Sequence, residues 1–345
     1  MKEKTLLLIL GPNGVGKTTT AQALVESRPH TAWVDADWCR AINPFLLTED
    51  SEKTVEDNLS NLLFNYLSCP VVDTVVFSYG LHGDRAQRLE RVLKRLDAAE
   101  VTYRLQKVIL TCSEEVNRKR AAQDGRDAQR INRGIRNTLH FYDHFPEPKI
   151  DTTFLTPEEV VQKIIAAAMT EFRTLTCPEE ITRQLFRDFE RRQDVGLCWR
   201  KKDGEWIIKE DPFVDDWTEA DYEELIRCLR RTVQTGGFLC GAFTDGVLKG
   251  FVSVESRPLG LRSQYLELSS LHVSRELRGA GIGKKLFARA AQWAREQGGE
   301  KLYISAHSAA ETQAFYRSLG CRDALEPSRA HVEKEPYDCQ LEYIL

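Results

Sequence analysis

Two stretches of this chain place residues at spacings that suit phosphate chemistry. The first is Gly11-Pro12-Asn13-Gly14-Val15-Gly16-Lys17-Thr18, which fits G-x-x-x-x-G-K-[ST]. Glycines at these points let the backbone wrap around phosphates with its N–H groups turned inward. Lys17 is placed to reach the β and γ phosphates and the Thr18 hydroxyl to hold Mg²⁺, with Thr19 next to them in the same cradle. The second stretch is Arg278-Gly279-Ala280-Gly281-Ile282-Gly283, followed by Lys284. Gly281 and Gly283 bare N–H groups where a helix begins, and the helix dipole adds a positive end, so a pyrophosphate fits there as well. It has no lysine–threonine pair, so neither a metal nor a moving phosphoryl group is expected of it.

Both motifs sit where their chemistry requires. An apolar run of strand length, residues 5–10, precedes the first, and residues 19–25 continue from it as a helix. Through about residue 170 strands and helices alternate, which predicts an α/β domain with a parallel sheet. Residues 31–37 read as a strand that ends in Asp35 and Asp37, with Arg40 close behind. Two residues apart on an extended strand, these carboxylates point the same way, at the end of a parallel strand where ligands bind. One can orient or deprotonate a hydroxyl acceptor while the other supports Mg²⁺. A P-loop ATPase often carries a metal-linked aspartate at the end of its next strand. Here residues 71–78 end in Ser78, so metal duty falls to Asp35 or Asp37, with Thr18 and Asp37 the first choice of pair. Arg118, Arg120 and Arg126 lie on a segment that can fold over phosphates and stabilise their charge. Thr156-Pro157-Glu158-Glu159 starts a last helix that runs to about Phe172.

The bulk figures narrow the field. A chain of 345 residues favours two domains. A net charge of −4 gives no basic footprint for nucleic acid. Nine cysteines without a C-x-x-C pair, several of them in apolar contexts, read as reduced thiols in a cytoplasmic protein. No apolar run approaches the ~20 residues needed to span a bilayer, so no membrane partner is expected. The opening apolar run, about six residues, leads straight into the first motif and is no signal peptide.

The polar stretch 173–178 divides the chain, giving expected domains 1–172 and 173–345, with a helix opening the second at Pro178 to Arg191. Beyond it the pattern changes to neighbouring antiparallel strands, an α+β sheet. Asp203-Gly204 and Asp245-Gly246 each signal a hairpin turn. Residues 265–273 form a long strand that leads into the second motif.

Residues 1–170 resemble the small P-loop kinases of the shikimate, gluconate and zeta-toxin type. The likeness rests on the P-loop, the Asp35-x-Asp37 pair, the arginine-bearing segment and the Ile150-Asp151-Thr152 strand before the last helix. It implies an ATP-dependent, Mg²⁺-assisted phosphorylation of a small hydroxylated molecule. Residues 176–345 resemble the GNAT superfamily of N-acetyltransferases. That likeness rests on R-x-x-G-x-G at 278–283, the strand 302–306, and Ala314-Phe315-Tyr316-Arg317-Ser318-Leu319-Gly320-Cys321, where Cys321 replaces the usual aromatic. It implies acetyl-CoA as donor and direct attack by an amine. Backbone groups at Leu271 and Val273 would pair with the pantetheine, and Arg278, Gly279, Gly281, Gly283 and Lys284 would hold the pyrophosphate. The cofactor would lie in the V between strands 265–273 and 301–305, and Tyr316 would protonate the leaving thiolate. For the base that frees the amine, Glu267 is the first choice and Glu255 the second. The acidic stretch 209–217 resembles a substrate-side loop for a cationic amine.

Together these readings predict a bifunctional enzyme acting on small molecules with hydroxyl and amino groups, such as an aminoglycoside-like antibiotic or amino sugar. Two other readings remain open: a P-loop domain that binds nucleotide only to regulate the acetyltransferase, and an acetyltransferase that acts on protein lysines.

Overall fold

The computed structural model describes residues 4–44, 46–202 and 205–345, so the Asp203-Gly204 turn lies outside the described residues. The chain forms two compact units that divide between Ala168 and Met169.

The first unit runs β1 (Lys4–Leu10), α1 (Lys17–Ser27), β2 (Thr31–Asp35), α2 (Glu49–Ser68), β3 (Thr74–Ser78) and α3 (Arg85–Ala98). It continues through β4 (Tyr103–Thr111), α4 (Glu114–Gln123), α5 (Ala128–Thr138), β5 (Lys149–Asp151) and α6 (Pro157–Met169). The five strands lie parallel in the order β2-β3-β1-β4-β5. Both faces of such a sheet are covered, so its central strand can be apolar at every position. Leu6 to Leu10 accordingly have no exposed surface. Thr48 and Ser51 cap α2 reciprocally, and Arg88, Arg91 and Arg95 of α3 pair with Glu52 and Glu56 of α2.

The second unit begins earlier than the composition suggested. The helix expected to reach Phe172 stops at Met169, and β6 (Glu171–Thr174) pairs with a strand of the second sheet. The helix expected over 178–191 is replaced by two short 3₁₀ turns, because Pro178 and Thr182 each start a fresh turn. Then come β7 (Gln193–Lys202), β8 (Glu205–Asp215), α7 (Glu219–Gln234), β9 (Phe238–Thr244), β10 (Val247–Val254) and β11 (Tyr265–Val273). The unit ends with α8 (Ile282–Glu296), β12 (Lys301–Ala306), α9 (Ala310–Ser318), β13 (Arg322–Asp323), α10 (Arg329–Lys334) and β14 (Cys339–Ile344).

Seven strands order as β13-β14-β12-β11-β10-β9-β6, and β7 with β8 forms a separate two-stranded sheet. All pairs in the larger sheet are antiparallel except β11 with β12. The Asp245-Gly246 turn has positive φ at both residues, 50° and 79°, the geometry that matches strand twist in a tight hairpin. The parallel pair β11–β12 stays together only from Tyr265↔Lys301 to Glu267↔Tyr303. Beyond that β11 runs on to Val273 beside β10 and β12 to Ala306 beside β14 without pairing with each other, so the sheet opens into a V. Behind the V, the fully buried Glu342 accepts hydrogen bonds from Tyr265 and Lys301 and pairs with Arg322. Burial alone would raise its pKa, but those donors outweigh it and hold it at about 2.

Candidate active sites

In the first unit the P-loop joins β1 to α1. Gly11, Gly14 and Gly16 adopt φ of 145°, 82° and 103°, open to glycine and strained for other residues. At Gly11 a Cβ would stand 2.5 Å from the Leu110 carbonyl oxygen; at Gly16 it would meet nothing within 4 Å, so the space above the helix start is clear. A cavity of about 500 Å³ lies there, lined by the loop and by Asp35, Asp37, Ser78, Arg85, Arg120 and Arg126. The Lys17 ammonium donates to the carbonyls of Gly11 at 3.0 Å and Pro12 at 2.8 Å. Burial and the nearby Arg85 lower its pKa to about 8, against the pull of Asp35 and Asp37.

Asp35 is the best-held carboxylate in this cavity. Its Oδ2 accepts from Thr18 Oγ1 at 3.2 Å and from Ser78 Oγ at 2.9 Å, and its Oδ1 accepts the Asp37 N–H at 2.9 Å. Arg120 donates to the Val15 carbonyl and to both oxygens of Thr152, so it braces the loop from behind. Asn117 adds a bond to the Asn13 carbonyl at 2.9 Å.

In the second unit a cleft of about 630 Å³ fills the V. One wall is the outer end of β11, from Leu268 to Val273. Another is the loop and first turn of α8, including Gly279, Gly281, Gly283 and Lys284. Gly281 caps α8 with φ 82°, and a Cβ there would meet nothing within 4 Å. The far wall holds Ser305, His307, Tyr316 and Asp338. Burial raises the Tyr316 phenol beyond its usual range, with Cys321 and Asp338 adding to the effect. Among the described residues no group hydrogen-bonds to its hydroxyl. Burial also raises Asp338 to about 6, helped by Glu335 and Asp215 and opposed by a 3.2 Å bond from Ser305 Oγ. His272 and His307 are pushed down, first by burial and then by charges that include Arg191, so both stay neutral near pH 7.

Residues 203–321 match the Acetyltransferase (GNAT) family model, and residues 7–139 match an AAA domain model. This chain carries a P-loop AAA-type domain followed by a GNAT acetyltransferase domain. No curated protein matches it. Among solved structures, nourseothricin acetyltransferase is similar at 19% identity, with 50% of this chain and 95% of that chain covered and a TM-score of 0.36. The PaiA N-acetyltransferase of Thermoplasma acidophilum, solved with coenzyme A, is similar at 16% identity, 51% and 99% coverage, and a TM-score of 0.33. A gluconokinase from Sinorhizobium meliloti 1021 is similar at 15% identity, 48% and 91% coverage, and a TM-score of 0.34.

Several expected site residues fall elsewhere than their spacing suggested. In the P-loop half, Asp35 and Asp37 do not share a strand face. The strand ends at Asp35, whose side chain caps the turn that follows, and Asp37 sits in that turn facing Arg40 at 3.6 Å. Asp35, not Asp37, therefore meets Thr18. Arg118 lies on the outer face of α4, bound to Glu114 and Asn132, and does not reach the cavity. Arg126 and Thr19 do line it.

In the GNAT half, Glu267 sits at the last paired position before the V opens and is bound to His331 Nε2 at 2.8 Å. Glu255 is bound by Thr232 and Ser269. Neither lines the cleft. Arg278 lines it, but its guanidinium donates to the carbonyls of Val273 and Arg191, bracing the loop that carries the glycines. The acidic stretch expected as a loop is strand β8 as far as Asp215, which pairs with Arg191.

Three residues escaped the sequence reading: Asp338, His307 and Arg85. Asp338 stands just before the alternating run Cys339-Gln340-Leu341-Glu342-Tyr343-Ile344, and an aspartate at a strand entrance was the available signal. The thiols are all free, five of them buried. No helix among the described residues is long and apolar enough to cross a membrane.

Proposed function

We propose that the GNAT half transfers the acetyl group of acetyl-CoA to a small primary amine, and that the P-loop half transfers the γ-phosphoryl group of ATP to a hydroxyl. The observation that carries the first part is the cleft itself. One end is a glycine-bared helix start suited to a pyrophosphate, and the other holds a buried phenol beside a carboxylate of raised pKa. Acetyl-CoA supplies the activated acyl group. Asp338 takes the proton of the attacking ammonium, and Tyr316 gives its own to the departing sulfur. Asp338 is the carboxylate that would receive the acceptor's ammonium, and Asp215 and Glu335 act on it from nearby, Asp215 being paired with Arg191 of the cleft wall. The acceptor class that fits is an aminoglycoside or amino sugar.

In the P-loop half, Lys17 and Arg126 face the phosphates and offset their charge, while Thr18 with Asp35 would hold Mg²⁺. The rest of the shell would come from the phosphates and water. Asp37, free of the Thr18 contact, accepts the proton of the acceptor hydroxyl.

The base assignment is tested by pH. Asp338 is charged, and so competent as a base, above its pKa of about 6. The kcat/KM for acetyl transfer is expected to rise as pH climbs through that value. Asp338→Asn is expected to lower the rate about 10²-fold and to erase that limb of the profile. A variant that keeps both the rate and the limb would return the role to another group.

A further inference from the structure

Glu267 lies outside the cleft in the V, yet it ends a second chain of chemistry-bearing groups. Its Oε1 stands 2.8 Å from His331 Nε2, and His331 Nδ1 stands 2.8 Å from Ser328 Oγ. A carboxylate only accepts hydrogen bonds, so Nε2 carries the ring hydrogen. In the uncharged ring Nδ1 is then an acceptor, and the Ser328 hydroxyl donates to it. The surroundings hold this order in place. Ser328 precedes α10 and His331 follows three residues later, which sets both on one side of that helix. The Ser328 N–H donates to the Tyr303 hydroxyl at 2.9 Å, and the Tyr303 and His331 rings lie 5.4 Å apart. Glu267 is the strand partner of that same Tyr303. The side chains of His331 and Glu267 are only 24% and 22% exposed, so water screens their contact in part. Ser328 stands at the N-cap position but makes no capping bond, so its hydroxyl is not spent on the helix N–H groups.

A hydroxyl, an imidazole that takes its proton and a carboxylate that orients the imidazole are the parts of an activated nucleophile. The roles need one ring nitrogen each, and here the serine has Nδ1 and the carboxylate Nε2. Ser328 also lines a cavity of about 380 Å³ that shares no lining residue with the cleft in the V. Leu259, Leu261, Tyr265, Tyr303 and Pro327 make most of its wall apolar, and Glu326 adds a carboxylate that repels anions. We propose that Ser328, His331 and Glu267 form a second catalytic site, which hydrolyses neutral carboxylic esters with a small apolar acyl group. The Ser328 oxygen bonds to the ester carbonyl carbon while His331 takes the hydroxyl proton. The bond from that carbon to the alkoxy oxygen breaks, and the alcohol leaves with the electron pair and the proton from His331. Water then attacks the acyl-serine in the same way, which releases the carboxylic acid and returns the hydroxyl to Ser328. Glu267 touches no reacting atom and is a positioning residue that acts through His331.

The test uses the full chain and two probes. Diisopropyl fluorophosphate reads the nucleophile: the serine oxygen bonds to phosphorus, fluoride leaves with its electron pair, and the proton goes to His331. Intact mass and peptide mapping are expected to place one adduct on Ser328 in the folded protein and none in the denatured one. H331Q is expected to slow its formation at least about tenfold. Hydrolysis of p-nitrophenyl butyrate reads turnover. S328A is expected to abolish it; the change removes one oxygen from a half-buried side chain, so folding is not at risk. E267Q is expected to lower kcat at least about tenfold with KM unchanged, because Glu267 does not line the cavity. No adduct on Ser328, or one that H331Q forms less than tenfold more slowly, overturns the proposal. So does ester hydrolysis that is absent or survives S328A, or an E267Q variant that keeps its kcat.

Discussion

Tyr316→Phe is expected to lower kcat for acetyl transfer by about 10²–10⁴, a loss of about 3–5 kcal/mol of transition-state stabilisation. The phenol is buried, and its pKa is raised beyond the ordinary tyrosine range, so it holds its proton at every pH where the enzyme would work. A thiolate leaving into a cleft walled by protein needs that proton more than one leaving into water. The substitution removes only the hydroxyl. The ring keeps its contacts with Phe287 and Phe315, at centroid distances of 6.3 and 5.1 Å. Stability and the KM for acetyl-CoA should therefore hold, and the effect should fall on kcat. Steady-state rates and a thermal melt on the same preparation check this. An unchanged kcat would mean that the leaving group is protonated by something else.

Lys17→Ala is expected to lower ATP-dependent phosphorylation by about 10²–10³, the usual cost of removing one preorganised charge from a developing anion. The ammonium is already within the loop, tied to the Gly11 and Pro12 carbonyls. Burial and Arg85 disfavour its charge, and a bound polyphosphate would restore it. Acetyl transfer is expected to stay at the wild-type rate, because the residues assigned to it lie in the other compact unit. Turnover of ATP and release of CoA, measured side by side, check both arms. Wild-type phosphorylation by this variant would leave the P-loop half without its assigned chemistry.

How much of this could be read before any coordinates depended on how local each feature is. The P-loop and the R-x-x-G-x-G turn are contiguous, and their glycines meet backbone demands that any strand–turn–helix imposes, so both appear where they were expected. The strand 265–273 came out with the same bounds, since its pattern and flanking turns leave little choice. Side chains brought together by the fold were harder. Alternation assigned Asp35 and Asp37 to one face, but a capping aspartate ends its own strand, and the rule stops where the strand does. Glu267 has the right residue type on the right strand, yet its place is decided by where β12 stops pairing, which no spacing within β11 reveals. Asp338 reaches the cleft from the end of the chain because β14 inserts between β12 and β13, a long-range pairing invisible to local pattern. Arg118 and Arg120 differ by two residues on one helix, and the helical phase alone sends one outward and the other to the loop.

The most direct test of the central claim is release of CoA from acetyl-CoA across a panel of amines, aminoglycosides and amino sugars, run with and without ATP. Release should be followed by chromatography, because the exposed Cys177 and Cys228 would consume a thiol-reactive dye. The account predicts that at least one small amine releases CoA without ATP and gains an acetyl group on nitrogen. No release with any free amine, alongside acetylation of a lysine peptide, would contradict it.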